Sequence, residues 1–351
     1  MANSTWPGVV SAFRPRLKVE GEPVTLLEGN TPLIECPRLA DWACPGARLF
    51  VKYEGLNPTG SFKDRGMTSA ITQAVHDGAQ AVICASTGNT AASAAAYAAR
   101  AGLKCIVLIP QGKVAMGKLA GSVAYGAEVI QIDGSFDDGL RLVREISDRT
   151  PIALVNSVNP ARLEGQKTGA FEINDALGQS PDWLCLPVGN AGNISAYWVG
   201  FSQDANERAF GKPQLLGGQA AGSAPIVLGH VVDRPETIAT AIRIGNPARW
   251  FQAKEALADS EGQLWRVTDD EILEAYGLLS RKEGVFCEPS SAAGVAALRK
   301  SVVAGELTPE GRTIVAILTG HGLKDPDAPL ASFKEVRAIG ANYDEIMKVI
   351  G

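Results

Sequence analysis

Short apolar runs alternate along this chain with segments whose apolar residues recur at helical spacing, and that alternation predicts the elements. A strand is expected over 51–54, a glycine- and proline-rich turn over 55–60, and a helix from about 61 to 75. Strand 81–85 then precedes an alanine-rich helix over 91–101, strand 105–109 a helix over 115–125, and strand 128–133 a helix over 136–148. Strand 152–155, helix 162–177, strand 183–188, helix 194–201 and strand 214–217 continue the rhythm. Near the end come helices over 269–282 and 291–299 and a strand over 313–318, while the last twenty-five residues carry little signal. Continuously apolar strands between helices indicate an α/β fold whose sheets are mostly parallel and covered on both faces. In such folds ligands bind outside the carboxyl ends of the strands, so the residues just after each strand are the ones to inspect.

Composition narrows the function classes. A length of 351 residues accommodates two domains with ample core, and 46% apolar with 20% charged residues is ordinary for a globular protein. The net charge of −5, with no basic run, argues against nucleic acid or an anionic membrane as the main partner. The N-terminus has no apolar signal core, and no apolar stretch reaches spanning length, so a cytoplasmic protein is expected. The six cysteines are scattered without a CxxC pair, and Cys84, Cys105 and Cys185 lie in apolar runs, which suits buried reduced thiols. His76, His230 and His321 lack metal-ligand spacing, so no metal is expected.

The most informative stretch is Asn57-Pro-Thr-Gly-Ser-Phe-Lys63-Asp-Arg65. It places Lys63 in the first turn of a helix, where the macrodipole disfavours a cation. A lysine whose pKa is lowered that way is a neutral amine at working pH, the form that Schiff-base chemistry requires. Taken alone, a solvated surface lysine is the plainer reading. Three polar clusters at strand ends alter that balance. Ser86-Thr-Gly-Asn-Thr90 offers three hydroxyls and an amide at a helix N-terminus, a receptor for a carboxylate, where plain capping accounts for only one such residue. Gly189-Asn-Ala-Gly-Asn193 combines close backbone approach with helix N–H donors and suits a phosphate, although glycine turns are common. It is neither G-x-G-x-x-G nor a P-loop, which points to a phosphorylated cofactor smaller than a nucleotide. Thr319 follows the final strand in Thr-Gly-His-Gly-Leu-Lys-Asp325, and His321 there reads as structural. Reactive lysine, carboxylate receptor, phosphate loop and strand-end hydroxyl together fit pyridoxal 5′-phosphate and an amino-acid substrate.

These motifs resemble those of the fold-type II pyridoxal-phosphate enzymes, the tryptophan synthase β family, from about Leu26 to Asp325. Within that family the Gly189–Asn193 loop, the Thr319–Asp325 motif, and Asn156-Ser157 with Arg162 and Gln166-Lys167 resemble the threonine-synthase branch. The resemblance implies two domains, a large one formed by 1–65 and 157–351 and a small mobile one formed by 66–156, with the cofactor in the cleft between them. It implies that Lys63 is the catalytic residue, forming the Schiff base and later shuttling protons. Asn89 would contact O3′ of the cofactor, Gly189, Asn190, Ala191, Gly192 and Asn193 its phosphate, and Thr319 its ring nitrogen. The motif around Thr319 offers no carboxylate partner for that nitrogen, so an unprotonated ring is expected. Ser86, Thr87 and Thr90 would hold the substrate carboxylate. Asn156, Ser157 and Arg162, set at the active-site rim, would hold a second phosphate, that of the substrate. The implied activity turns O-phospho-L-homoserine and water into L-threonine and phosphate, in a homodimer.

Other readings remain open at the level of sequence. A pyridoxal-phosphate-dependent serine or threonine dehydratase needs no second phosphate site, which leaves Arg162 idle. A dinucleotide-dependent oxidoreductase lacks its glycine fingerprint and its spaced acidic residue here. A non-catalytic small-molecule sensor is hard to reconcile with a retained Lys63.

Overall fold

A computed structural model describes residues 5–111, 116–328 and 338–350. Among the described residues, ten strands form two separate sheets. In chain order they are β1 (Leu33–Glu35), β2 (Arg48–Tyr53), β3 (Ala81–Ala85), β4 (Lys104–Pro110), β5 (Glu128–Ile132), β6 (Ile152–Leu154), β7 (Trp183–Pro187), β8 (Gln214–Ala220), β9 (Gln263–Val267) and β10 (Thr313–Leu318). The six-stranded sheet has the order β1-β2-β10-β7-β8-β9 and the four-stranded sheet the order β5-β4-β3-β6. Only β1 runs antiparallel to its neighbour; every other pairing is parallel.

The apolar runs form strands because both faces of each sheet are covered. β3 is buried at every position, as is β7. In the larger sheet, helix Pro289–Val303 packs so closely that a Cβ on Gly294 would stand 2.9 Å from the Leu186 backbone. In the smaller sheet, Ala91, Ala94, Ala95 and Ala98 of helix Asn89–Ala101 pack with Val82, Cys84, Cys105 and Val107. Alanine is what permits that approach of helix to strand. Helix Lys63–His76 contributes Met67, Ala70 and Ile71 to the same core.

The expected boundaries match the strands closely and the helices less so. The stretch 162–177, read as one helix, is two, Pro160–Gln166 and Thr168–Leu177. Helix Gly192–Arg208 extends past the expected end. Strands β1 and β9 and helix Trp250–Asp259 lie where no element was expected. A terminal helix, Tyr343–Ile350, occupies part of the stretch read as featureless.

Candidate active site

Five strands end at one cavity of about 360 Å³, and each hands over a polar segment. β2 leads through a turn to Phe62 and Lys63, β3 to Ser86–Thr90, β6 to Asn156 and Ser157, β7 to Gly189–Asn193, and β10 to Thr319. This is the position that parallel sheets reserve for ligands. Every candidate residue taken from the sequence lines the cavity except Arg162.

Lys63 is the first residue of its helix, with its Nζ 4.2 Å from the centre of the Phe62 ring. Burial pulls its pKa from 10.5 down to about 7, the charge of Arg162 adds to the effect, and Glu288 opposes it. The amine is therefore substantially neutral near pH 7, as a Schiff-base lysine must be.

The loop Gly189–Asn193 has the shape of an anion cradle. A Cβ on Gly189 would stand 2.9 Å from the Ile242 backbone. Ala191 adopts φ 62°, in the left-handed region, and turns the chain into helix Gly192–Arg208. The first N–H groups of that helix have no intrahelical acceptor. The buried Nδ2 of Asn193 has no hydrogen-bond partner. A phosphate supplies the acceptor that these groups lack. The residues present thus fit pyridoxal phosphate: an amine of lowered pKa at one end and an unsatisfied donor set at the other.

The expected substrate-phosphate group needs one correction. Arg162 is not at the rim but fully buried, its Nη1 donating 3.2 Å to the Val155 carbonyl. Helix Pro160–Gln166 turns it inward, against Lys63, rather than toward solvent. Its Nε and Nη2 are buried without partners, and burial, with the nearby Arg249 charge, lowers its pKa to about 10. Asn156 is partly committed: its Nδ2 donates to the Ala85 carbonyl at 2.9 Å and its Oδ1 accepts from the Ala85 N–H at 3.0 Å. Ser157 accepts from Asn190 Nδ2 at 2.9 Å, which leaves its hydroxyl proton to donate elsewhere. Arg249 fixes this turn by donating to the Ser157 carbonyl at 3.1 Å.

Among the cavity residues that the sequence reading did not single out are Glu288 and Lys324. Glu288, almost fully buried, accepts from Asn89 Nδ2 at 3.0 Å and from the Thr319 hydroxyl at 2.9 Å. The motif around Thr319 was read as having no carboxylate partner for the ring nitrogen, and the carboxylate that meets the Thr319 hydroxyl comes from another segment. Its only sequence signal is the acidic residue before Pro289 at a helix start. Lys324 lies in the recognised C-terminal motif, and its Nζ donates to the Thr59 carbonyl at 3.0 Å. His321 is structural: its Nδ1 accepts from the Leu323 N–H at 3.1 Å and its ring stacks on Tyr53.

The pyridoxal-phosphate dependent enzyme profile matches residues 24–320. A threonine synthase from a Synechocystis species is 60% identical over 99% of this chain and 91% of its own length. Another, from Halalkalibacterium halodurans, is 55% identical over 97% of this chain and 96% of its own length. Among solved structures, a cysteine synthase from Entamoeba histolytica superposes with a TM-score of 0.75 at 21% identity, over 92% of this chain and 94% of that one. The last likeness concerns the fold alone.

Proposed function

The chain belongs to the pyridoxal-phosphate dependent enzymes, and from that premise we propose that it is a threonine synthase, converting O-phospho-L-homoserine and water to L-threonine and phosphate. The reading beyond the family rests on 60% and 55% identity to threonine synthases over nearly the whole chain, and it is supported by a second candidate phosphate receptor, the cavity-lining Ser157 and Asn156 with the two unpartnered nitrogens of the buried Arg162. A dehydratase has no use for that second receptor.

Pyridoxal phosphate, when bound, supplies the electron sink that makes carbon acids of the substrate. The chain's own residues do the rest. Ser86, Thr87 and Thr90 hold the substrate carboxylate at the N-terminus of helix Asn89–Ala101, whose dipole favours an anion. The Lys63 amine removes the Cα proton and then a Cβ proton. The phosphate leaves Cγ with the bonding pair and its bridging oxygen, toward Arg162, Ser157 and Asn156. Lys63 returns a proton to Cγ, water adds at Cβ, and a proton goes back to Cα. Atoms balance, with water consumed and phosphate released. Asn89, the 189–193 loop and Thr319 orient the cofactor throughout. We read segment 66–156, which carries the smaller sheet, as the part that closes over substrate and excludes bulk water.

We further propose a cytoplasmic homodimer acting on a small molecule, without nucleic acid or membrane. All six cysteines are free and buried, which suits a reducing compartment. No helix among the described residues is long and apolar enough to cross a membrane. Val227, Leu228 and Val231, exposed within one short stretch, support a self-association face.

Protein loaded with pyridoxal phosphate should release phosphate from O-phospho-L-homoserine with threonine as equimolar co-product, and Lys63→Ala should abolish both. Phosphate release accompanied by homoserine would sink the reading.

A further inference from the structure

Glu288 stands where two candidate cofactor contacts meet. One carboxylate oxygen takes the Asn89 amide at 3.0 Å and the other takes the Thr319 hydroxyl at 2.9 Å. Behind Thr319, the Ser291 hydroxyl lies 3.0 Å from its oxygen, and Ser291 in turn accepts from the Gly320 N–H at 3.2 Å. The backbone is shaped around this carboxyl: a Cβ on Gly320 would stand 2.6 Å from Glu288 Cδ, and the Glu288 N–H donates to the Gly320 carbonyl at 2.9 Å.

Proton counting on these contacts has one consequence. A threonine hydroxyl has one proton to give, whereas an ionised carboxylate can only accept. With Glu288 ionised, the Thr319 proton is committed to it, and Thr319 can offer a ring nitrogen nothing but a lone pair. With Glu288 protonated, the carboxyl can donate to Thr319 and free the hydroxyl proton for an unprotonated nitrogen.

We propose that Glu288 is a positioning residue that sets the direction of the Thr319 hydroxyl, so that the proton on this carboxyl decides whether Thr319 donates to the cofactor's ring nitrogen or accepts from it. The inference rests on the reading of the cavity as a pyridoxal-phosphate site. The groups facing Glu288 are Lys63 from its helix, Asn89 from the smaller sheet's side, Thr319 and Lys324 from the segment after β10, and neighbouring Cys287. Burial raises the pKa of Glu288, while the Asn89 and Thr319 hydrogen bonds and the Lys63 and Lys324 charges work against that rise.

The test is the pH dependence of the visible absorption band in full-length protein loaded with pyridoxal phosphate. Four proteins are compared: wild type, Glu288→Gln, Thr319→Ala and the double variant. Glu288→Gln should move the midpoint of the spectral transition by about one pH unit or more, or remove the transition. In the Thr319→Ala background the same substitution should shift the midpoint far less, keeping only the direct effect of the Glu288 charge on Lys63, because there is no hydroxyl left to turn. An unchanged midpoint in Glu288→Gln, or an equal shift in both backgrounds, would overturn the proposal. If Glu288→Gln does not fold, Glu288→Asp serves: it should keep a transition at a displaced pH only when Thr319 is present, and an undisplaced one would refute the idea. Absence of any visible band in loaded wild type would instead refute the cofactor reading itself.

Discussion

Lys63 at the cavity and the buried Arg162 are best read as one electrostatic unit. Burial and the Arg162 charge both lower the lysine, and the two unpartnered Arg162 nitrogens wait for an anion. The rate of cofactor capture by the ligand-free protein should therefore rise with pH through a midpoint near 7, as Lys63 loses its proton. In Arg162→Gln that midpoint should move upward, because a positive charge that disfavoured protonation is gone. A midpoint near 10.5 in the wild type, or an unmoved one in the variant, would contradict this electrostatic account. The same substitution removes hydrogen bonds to a charged group, each about 1.5–3 kcal/mol, so kcat/KM for the phosphorylated substrate should fall roughly tenfold or more. Slow deamination of serine or threonine, which carry no phosphate, should fall much less. Equal losses would make Arg162 merely structural. At this scale the motifs placed Lys63, Asn89, Thr319 and both polar loops at the cavity, because each lies between the end of a strand and the first turn of the next helix. They did not disclose the depth of Arg162, which depends on how helix Pro160–Gln166 faces, nor Glu288, whose role is made by contacts between distant segments.

At the scale of elements, the Lys63 helix is held by a buried charge network that no local pattern reveals. Arg65 binds Glu54 at 2.6 Å and Glu172 at 2.6 Å, and Lys52 binds Glu172 at 2.7 Å. Thr31 and Thr168 complete the arginine's contacts. The network joins β2, the turn after it, the start of helix Lys63–His76 and helix Thr168–Leu177. Removing one member of a buried pair strands the other, so Arg65→Ala should destabilise the protein by about 3–5 kcal/mol, read from denaturant unfolding. A loss below about 1 kcal/mol would show that the network relaxes without it. Burial opposes the Glu172 charge, yet Arg65 and Lys52 hold its pKa down from 4.5 to about 2. Because that pKa is depressed on folding, its contribution is present above pH 4.5 and is lost as pH falls through about 2. β9, Gln-Leu-Trp-Arg-Val, is a sheet edge that is mostly half-exposed, so it lacks the continuous apolar run that marks β7 or β10. The break at Lys167 was hidden because the two helices abut there, with Lys167 itself in the right-handed helical region at φ −60° and ψ −22°.

For the whole molecule, the pattern of apolar strands was enough to indicate buried parallel sheets, and it could not say how many sheets there are. That division follows from β3–β6 pairing only with one another while β2 joins β10 across most of the chain. The proposed homodimer has a simple expectation: light scattering on a sizing column should give roughly twice 36.8 kDa, and Leu228→Asp with Val231→Asp should lower it. A single-chain mass for the unaltered protein would refute it. The central claim concerns chemistry, and oxygen labelling tests it most directly. Loaded protein turning over O-phospho-L-homoserine in water enriched in ¹⁸O should place the label in the β-hydroxyl of threonine and none in the phosphate at release. That pattern requires cleavage of the Cγ–O bond and addition of water at Cβ. Label in the phosphate, with homoserine as the organic product, would mean attack at phosphorus and would contradict the account.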